Sequence, residues 1–393
     1  MELDFSTRDT EIYLDNAATT VVADEVVGAM IPYLEERYGN PETPYGLGRE
    51  ANDAVDVARE QIAEMLGCLP GEVFFTSGGT ESNNWAIKGF QYSKNLSDPY
   101  GLVVSSIEHD SVLSPSEWIC NHEVCSSLGR VPVDQDGIID LGELEVYIKS
   151  GGCGLVSVQH GNNEVGTLQP IEEVASLCKQ YGAALHCDAC QSFGKVAIDV
   201  DELGVDMMSI SAHKIHGPMG VGALYVRSGT SLEPLHHGGG HQDGMRSGTL
   251  PVANIVGFGK AAEMAWGSVK REMPRLFTLT EALAQDLETT CGAVRNGHRQ
   301  NRLPHILSVT FPKTEAAMMV GLLAKEGICV STGAACSQGK SGSGTLIAMG
   351  KGKSECTSTL RISLSRYNTS TDMMALTSRI QAALVGAEKR EAI

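Results

Sequence analysis

Short apolar runs alternate with helix-like segments along most of this chain, and no other feature constrains the fold as strongly. Each run has the length and residue types of a buried strand; the runs lie at residues 74–76, 102–105, 155–158, 183–186, 207–210 and 221–226. Strands that are joined by helices form parallel sheets with both faces covered. The alternation therefore predicts an α/β fold built on a mostly parallel sheet.

The pattern changes beyond a long helical stretch at about residues 252–287. It gives way to strands that flank helices, near residues 306–311, 315–326, 360–364 and 370–384. A chain of 393 residues is also too long for one ordinary core. We expect a large domain over residues 13–260, and a small α+β domain over residues 261–393 together with part of the N-terminal segment.

Charge and hydropathy argue against two classes of partner. The net charge of −18 does not suit direct binding of nucleic acid, which needs a basic face. No apolar run reaches the roughly 18 residues of a membrane helix, and the acidic N-terminus lacks the apolar core of a signal peptide. The composition therefore predicts a cytoplasmic protein. Its eleven cysteines are expected to be reduced thiols, one of them a candidate for catalysis.

A lysine follows one of the predicted strands. Lys214 lies between the run that ends at Ile210 and the turn at Gly217-Pro218, and Asp188 ends a neighbouring run. The carboxyl edge of a parallel sheet is where α/β enzymes place their chemistry, and partial desolvation there suits a lysine to Schiff-base formation. Such a lysine, with an aspartate for the pyridinium nitrogen, is what pyridoxal 5'-phosphate (PLP) requires. A surface lysine and a turn aspartate are the alternative for either residue alone.

A glycine-rich turn at residues 77–81 joins another predicted strand to a helix. Gly79 allows the backbone to approach a phosphate, the start of the helix supplies unpaired N–H groups, and Thr80 adds a hydroxyl. Ser211 and His213, beside the lysine, are further candidate phosphate donors. An ordinary turn is the alternative for the glycine-rich motif.

Three polar residues follow other predicted strands at the same edge of the sheet. His109 can stack on a flat ring and move protons, whereas Asn163 and Gln191 can hydrogen-bond to the substituents of that ring. A packed or capping histidine is the alternative for His109.

The final third of the chain adds two candidates. Cys336 lies in a glycine- and serine-rich segment, residues 331–344, where it suits a nucleophile better than a packing residue, and Lys340 would favour its thiolate. Arg361 lies within a strand pattern and can bind a substrate α-carboxylate through two hydrogen bonds. The alternatives are a linker with an incidental cysteine and an internal salt bridge.

Several cysteine and histidine groups are candidate metal ligands: Cys187 with Cys190, Cys120 and Cys125 with His122, and His236 and His237 with His241. None has a second pair at zinc-finger spacing, so we predict no metal site. An iron–sulfur or zinc site at Cys187 and Cys190 is the minor alternative.

Taken in order, the motifs resemble the NifS/IscS-type cysteine desulfurases, which are PLP enzymes of fold type I. The resemblance runs from residues 13–20 to residues 361–369, through segments 39–41, 76–84, 162–167, 211–214 and 246–249. It implies a seven-stranded sheet, a homodimer and the conversion of L-cysteine to L-alanine. The sulfur would pass to a persulfide and then to protein acceptors such as an iron–sulfur scaffold.

The resemblance also implies a role for each candidate. Lys214 would be the Schiff-base lysine and Asp188 the partner of the pyridinium nitrogen, and Cys336 would form the persulfide. The remaining roles are ring stacking by His109, ring contacts by Asn163 and Gln191, phosphate binding by Gly79, Thr80, Ser211 and His213 with Thr249 from the other subunit, and substrate carboxylate binding by Arg361, with Asn163 also contacting the substrate.

Three departures from the family pattern stand out. Tyr45 replaces a usual histidine, Cys190 replaces a usual threonine or valine, and the segment after Cys336 lacks the usual Glu-Pro-Ser-type stretch. The last leaves the sulfur acceptor open. A selenocysteine lyase or Cβ–S lyase on the same scaffold is the nearest alternative, and an idle interaction scaffold in a sulfur-transfer assembly is the alternative from another class.

Overall fold

A computed structural model describes residues 11–93, 100–150, 152–333 and 342–391 of the chain. The strands are β1 (Ile12–Tyr13), β2 (Val73–Thr76), β3 (Gly101–Ser105), β4 (Leu128–Val131), β5 (Cys153–Ser157), β6 (Ala184–Asp188), β7 (Met207–Ser211), β8 (Gly222–Val226), β9 (Val294–Asn296), β10 (Ile306–Thr310), β11 (Ile328–Cys329) and β12 (Thr359–Ser363). The helices are α1 (Asp24–Glu35), α2 (Gly46–Leu66), α3 (Gly79–Tyr92), α4 (Asp110–Asn121), α5 (Leu141–Lys149), α6 (Ile171–Tyr181), α7 (Val200–Leu203), α8 (Val252–Cys291), α9 (Ala316–Lys325), α10 (Gly344–Ala348), α11 (Lys353–Thr357) and α12 (Ser370–Glu391).

Seven strands form the main sheet in the order β2-β8-β7-β6-β5-β3-β4. All neighbours are parallel except those of β8, which runs antiparallel to both β2 and β7. The predicted α/β class with a mostly parallel, helix-covered sheet is therefore confirmed. Edge strand β4 was not predicted, because its sequence Leu-Gly-Arg-Val contains a glycine and a charge in place of an apolar run.

Three short strands form a second, antiparallel sheet in the order β12-β10-β9. Its core is separate from the core of the main sheet and also takes Leu14, which follows β1. Strand β1 pairs with β11, so the beginning of the described chain is fixed to its final third. This second sheet and its helices form the smaller α+β part of the fold.

The 40-residue helix α8 connects the two cores. Phe258 lies in the core of the main sheet, and Leu276 lies in the second core. The helix passes through residue 260 without interruption, so a domain boundary at that residue stays a prediction. No helix in the described ranges is long and apolar enough to cross a membrane.

Cysteines 120 and 125 form a disulfide, with their Cα atoms 4.8 Å apart, where reduced thiols were predicted. Cys120 lies in the last turn of α4, and the chain then reverses at Glu123, whose φ of +60° is left-handed. This reversal brings Cys125 back to the end of the helix. Eight further cysteines of the described chain are free.

Candidate active site

A cavity of about 440 Å³ opens at the carboxyl edge of the main sheet. It lies between the turn from β2 into α3 and the end of β7, as parallel-strand topology predicts for an α/β site. The lining residues are Ala18, Thr19, Ser77, Gly78, Gly79, Thr80, Glu81, Ser211, His213, Met219 and Gly220. The four predicted phosphate-binding residues of this subunit, Gly79, Thr80, Ser211 and His213, are all among them.

Unpaired donors concentrate at one end of this cavity. Helix α3 begins at Gly79, where the first backbone N–H groups have no partner within the helix. The hydroxyl of Ser211 is buried and has no hydrogen-bond partner in the part of the chain that the structure describes. Burial, and to a lesser degree the charge of Lys214, lower the pKa of His213 to about 4, so its ring is neutral near pH 7.

A glycine is required at position 79 for packing as well as for access. A Cβ atom there would lie 2.4 Å from the sulfur of Cys190. Burial, and next the carboxylate of Asp188, raise the pKa of this thiol well above its ordinary value, so Cys190 is not an activated nucleophile. Cys190 therefore has a packing role against Gly79 in the site.

The amine of Lys214 is bound by the backbone of the N-terminal segment. Its Nζ donates to the carbonyl oxygens of Ala17, at 2.6 Å, and Ala18, at 2.8 Å. Gln191 donates from Nε2 to the same Ala17 oxygen at 2.8 Å. Lys214 and Gln191 thus lie close together, as predicted. They meet at the Ala17 carbonyl oxygen, for which no role was predicted.

The carboxylate of Asp188 lies at the end of β6, beside the strand that leads to Lys214. It is 7% exposed, and it accepts hydrogen bonds from Asn83 Nδ2 at 2.7 Å and from the backbone N–H of Cys190 at 2.9 Å. Burial raises the pKa of nearby Glu108 well above its ordinary value, and the charge of Asp188 adds to this shift although the Gln159 N–H opposes it. The ionised form of Glu108 is therefore disfavoured beside Asp188.

His109 is the N-cap of α4 and is linked to Asp188 through two side chains. Its Nδ1 lies 2.7 Å from the hydroxyl of Ser111 and accepts the backbone N–H of Ser111 at 3.1 Å. Asn83 donates to that hydroxyl at 2.8 Å from the same Nδ2 that binds Asp188. His109 therefore has the capping role that was its alternative, and it is also connected to Asp188 by hydrogen bonds.

Arg361 is 4% exposed and lies on β12, at the junction of the two cores. One guanidinium nitrogen donates to the main-chain oxygen of Asn163 at 2.9 Å, and the other pairs with Asp15 at 2.7 Å. The internal salt bridge that was the alternative is thus present. The backbone of Arg361 also pairs with Ser331, which is close in sequence to Cys336.

One predicted residue, Thr249, lies apart from this group. Thr249 is exposed and is not among the residues that line the cavity. Its segment is fixed to α3 by Arg246, which donates to both carboxylate oxygens of Glu81 at 2.8 and 3.1 Å. Cys336, with Lys340, lies outside the described residues.

Sequence reasoning missed Asp15, Asn83 and Ser111. Asn83 is four residues after Gly79, on the same face of α3, and Ser111 follows His109 at the spacing of an N-cap contact. Those two signals were available once the helix starts were placed. Nothing local points from Asp15 to Arg361, which lies 346 residues away in the chain.

The residues present fit PLP. The unpaired Ser211 hydroxyl and the start of α3 suit a phosphate, and the buried Asp188 carboxylate suits a pyridinium nitrogen. Lys214 supplies the amine at the adjoining strand end. Within the described ranges no three His, Cys, Asp or Glu side chains are grouped to bind a metal ion.

Comparison with known proteins gives the same family. The aminotransferase class-V profile matches residues 12–376. The cysteine desulfurase IscS of Dictyoglomus turgidum is 42% identical over 328 residues, which cover 83% of this chain and 82% of that protein.

Two solved structures are also similar. A NifS-like protein has a TM-score of 0.89 and 37% identity, covering 95% of this chain and 99% of its own. A structure described as SspA in complex with cysteine has a TM-score of 0.79 and 34% identity, covering 91% and 100%. The chain therefore belongs to the aminotransferase class-V family, among its NifS/IscS-type cysteine desulfurases.

Proposed function

We propose that this cysteine desulfurase converts L-cysteine to L-alanine with PLP as cofactor and transfers the sulfur to Cys336. In this reaction the substrate Cβ–S bond breaks, an S–S bond to the Cys336 sulfur forms, and the products are alanine and a persulfide. The observation that carries the proposal is the placement of Lys214 and Asp188 on adjacent strand ends beside the 440 Å³ cavity.

PLP, when bound, supplies an electron sink for charge that develops on the substrate α-carbon. Asp188 would hold its ring nitrogen, and the donors at the start of α3 would hold its phosphate together with Ser211 and His213. Because these groups are buried or lie on strand ends, the cofactor would be positioned by the rigid part of the fold.

Lys214 is the proposed base that takes the α-proton from the substrate and returns it. In the structure its amine is bound by the oxygens of Ala17 and Ala18. It must exchange these two hydrogen bonds for contacts in the site during turnover. His109 is proposed as a second proton carrier.

Arg361 is proposed to bind the substrate α-carboxylate. Its guanidinium lies in a buried position where charge-assisted hydrogen bonds are strong. Asp15 already occupies one guanidinium nitrogen. A substrate carboxylate therefore competes with, or joins, that ion pair.

The sulfur on Cys336 would pass to an acceptor protein, such as an iron–sulfur scaffold. The segment that carries Cys336 follows Ser331, which pairs with Arg361. This connection supports a path from the substrate site to the cysteine. The acceptor and the cytoplasmic location stay predictions.

The same proposal includes a homodimer in which Thr249 reaches the phosphate site of the partner subunit. Thr249 is exposed, and its segment is anchored to α3 by the Arg246–Glu81 pair. Mixing a Thr249→Ala protein with a Lys214→Ala protein tests it. If Thr249 acts across the interface, hybrid dimers recover a PLP site with both native residues; no recovery on mixing would count against the arrangement.

Product analysis tests the reaction. Wild-type protein and Cys336→Ala are incubated in parallel with PLP, L-cysteine and a thiol reductant. Alanine and sulfide from the wild type alone are expected. Pyruvate and ammonia from both proteins would indicate a Cβ–S lyase. No turnover of L-cysteine by either, with turnover of selenocysteine, would indicate a selenocysteine lyase.

A further inference from the structure

Four polar groups form a continuous hydrogen-bonded chain beneath the proposed cofactor site. Asn83 Nδ2 donates to Asp188 Oδ2 at 2.7 Å and to Ser111 Oγ at 2.8 Å. Ser111 Oγ lies 2.7 Å from His109 Nδ1. The chain thus connects the proposed partner of the pyridinium nitrogen with the proposed proton carrier, through two residues to which no role has been assigned.

The direction of every hydrogen bond in this chain follows from its members. An ionised Asp188 can only accept, so the amide nitrogen of Asn83 must face it, and its two hydrogens go to Asp188 and Ser111. The backbone N–H of Ser111 donates to His109 Nδ1 at 3.1 Å, so this nitrogen is an acceptor. The single hydroxyl hydrogen of Ser111, 2.7 Å away, therefore also points to Nδ1.

Two hydrogen-bond donors therefore point to Nδ1 of His109, so Nδ1 is the nitrogen that carries no proton. We infer that Asn83 and Ser111 are positioning residues that hold the His109 ring in its Nε2–H form, and that one amide of Asn83 sets both this tautomer and the orientation of Asp188. The inference rests on the proposed function for the roles of His109 and Asp188, but the tautomer itself does not depend on it.

Burial makes this arrangement rigid. Asn83 is 1% exposed, Ser111 is 8% exposed and Asp188 is 7% exposed, so solvent cannot readily replace a hydrogen-bond partner that is lost. The chain also joins the N-terminal parts of two helices, because Asn83 is the fifth residue of α3 and His109 caps α4. Proton exchange at His109 is consequently confined to Nε2.

The first measurement uses the apoenzyme. Nitrogen-15 NMR of histidine-labelled protein, with His109→Gln to assign the signal, reports which ring nitrogen carries the proton. The wild type is expected to show one Nε2–H tautomer. Ser111→Ala removes the hydroxyl donor and keeps the backbone N–H, so the Nδ1–H tautomer is expected to become detectable beside the Nε2–H form. Ser111→Thr, which keeps a hydroxyl, is expected to restore the wild-type spectrum. Ser116→Ala is the matched control, because Ser116 is also buried on α4 and, within the described ranges, its hydroxyl donates to the Val112 carbonyl of its own helix.

The second measurement separates the two ends of the chain in the PLP-loaded protein. Asn83→Ala is expected to shift the pH midpoint of the cofactor's visible absorption by about one pH unit, because Asp188 loses a donor, and also to disturb the His109 tautomer. Ser111→Ala is expected to disturb the tautomer and lower kcat about tenfold, while leaving the absorption midpoint unchanged, because the Asn83–Asp188 hydrogen bond is kept.

A general loss of folding would move both readouts for both variants, and melting curves identify it. A wild-type tautomer with the proton on Nδ1, or a Ser111→Ala spectrum identical to that of the wild type, would overturn the inference. Because the tautomer is read without PLP or substrate, this outcome is distinct from a failure of the proposed desulfurase reaction.

Discussion

Lys214 and Arg361 are two basic side chains bound by one short segment, residues 15–18, yet they are bound in different ways. The amine of Lys214 meets two neutral backbone oxygens, whereas the guanidinium of Arg361 meets the full charge of Asp15. A neutral acceptor is released at a lower electrostatic cost than a carboxylate in a buried setting. The group proposed to move during turnover is therefore held weakly, and the group proposed to stay in place is held strongly.

Replacing the weakly held group gives the largest expected effect. Lys214→Ala is expected to lower kcat by at least about 1000-fold, since the base for the α-proton is lost. Steady-state alanine formation measures this. Lys260→Ala is a suitable control, because Lys260 pairs with Glu263 on the surface of α8; comparable rates for the two variants would contradict the role of Lys214.

Replacing Arg361, the strongly held group, is expected to weaken the binding of L-cysteine. Arg361→Lys is expected to raise the KM for L-cysteine about 10- to 100-fold with a smaller change in kcat, because a lysine cannot reproduce the two-pronged contact. Kinetics with L-cysteine measure the split. A fall in kcat at constant KM would assign Arg361 to structure alone.

Removing the competing carboxylate tests the comparison directly. Asp15→Asn is expected to lower the free energy of unfolding by about 2 kcal/mol, because the buried guanidinium loses its counter-charge. The same change makes Arg361 more available to a substrate carboxylate, so KM is expected to fall or stay constant. A variant with both lower stability and a higher KM would show that Asp15 assists substrate binding.

A buried histidine makes the main sheet sensitive to acid. Under Lys214, His186 bonds across the main sheet to Ser157 at 2.8 Å and to Ser209 at 2.9 Å, and burial lowers its pKa to about 4. The unfolded chain takes up this proton near pH 6.5, so stability is present above that pH and is lost as the pH falls towards 4, by on the order of 3 kcal/mol.

Denaturant titrations at pH 7 and pH 5 measure this loss. His186→Gln is expected to show a smaller difference between the two pH values than the wild type, whereas His122→Gln, at an exposed position, leaves the difference unchanged. An undiminished difference in the His186 variant would mean that other groups carry the acid response.

The β12 sheet under Arg361 carries a polar ladder without a titrating group, from Asn296 through Thr310 to Thr359. Asn296→Ala is expected to lower stability by about 1–2 kcal/mol at both pH values, because a buried hydrogen bond is lost without any change in proton uptake. A pH-dependent loss in this variant would mean that the ladder is coupled to a titrating group.

Features that are determined by residues close together in sequence were predicted, whereas features that depend on residues far apart in sequence were not. Buried strands and the residues at their ends are local, so the sheet, Lys214 and Asp188 were predicted. The reversed direction of β8 also had a local signal: the link from β7 spans residues 212–221, which is short for the crossover that a parallel neighbour requires.

Features that arise only from the assembled fold were missed. The contacts of Ala17 with Lys214 and of Asp15 with Arg361 depend on a segment that crosses between the two cores. Its own sequence, Asp-Asn-Ala-Ala, carries no charge pattern or periodicity that points to either partner. The hydrogen-bonded chain through Asn83 needs the relative placement of α3 and α4, which patterns in each helix cannot supply.

The pairing of β1 with β11, and of Asp15 with Arg361, has a consequence for the order in which the protein is made. The ribosome releases residues 11–18 early, but their partners, up to 346 residues later, emerge near the end of synthesis. The main sheet can assemble while synthesis continues, whereas the N-terminal segment must wait for nearly the whole chain. A nascent chain interrupted before Arg361 therefore contains Lys214 but lacks the buried guanidinium that pairs with Asp15.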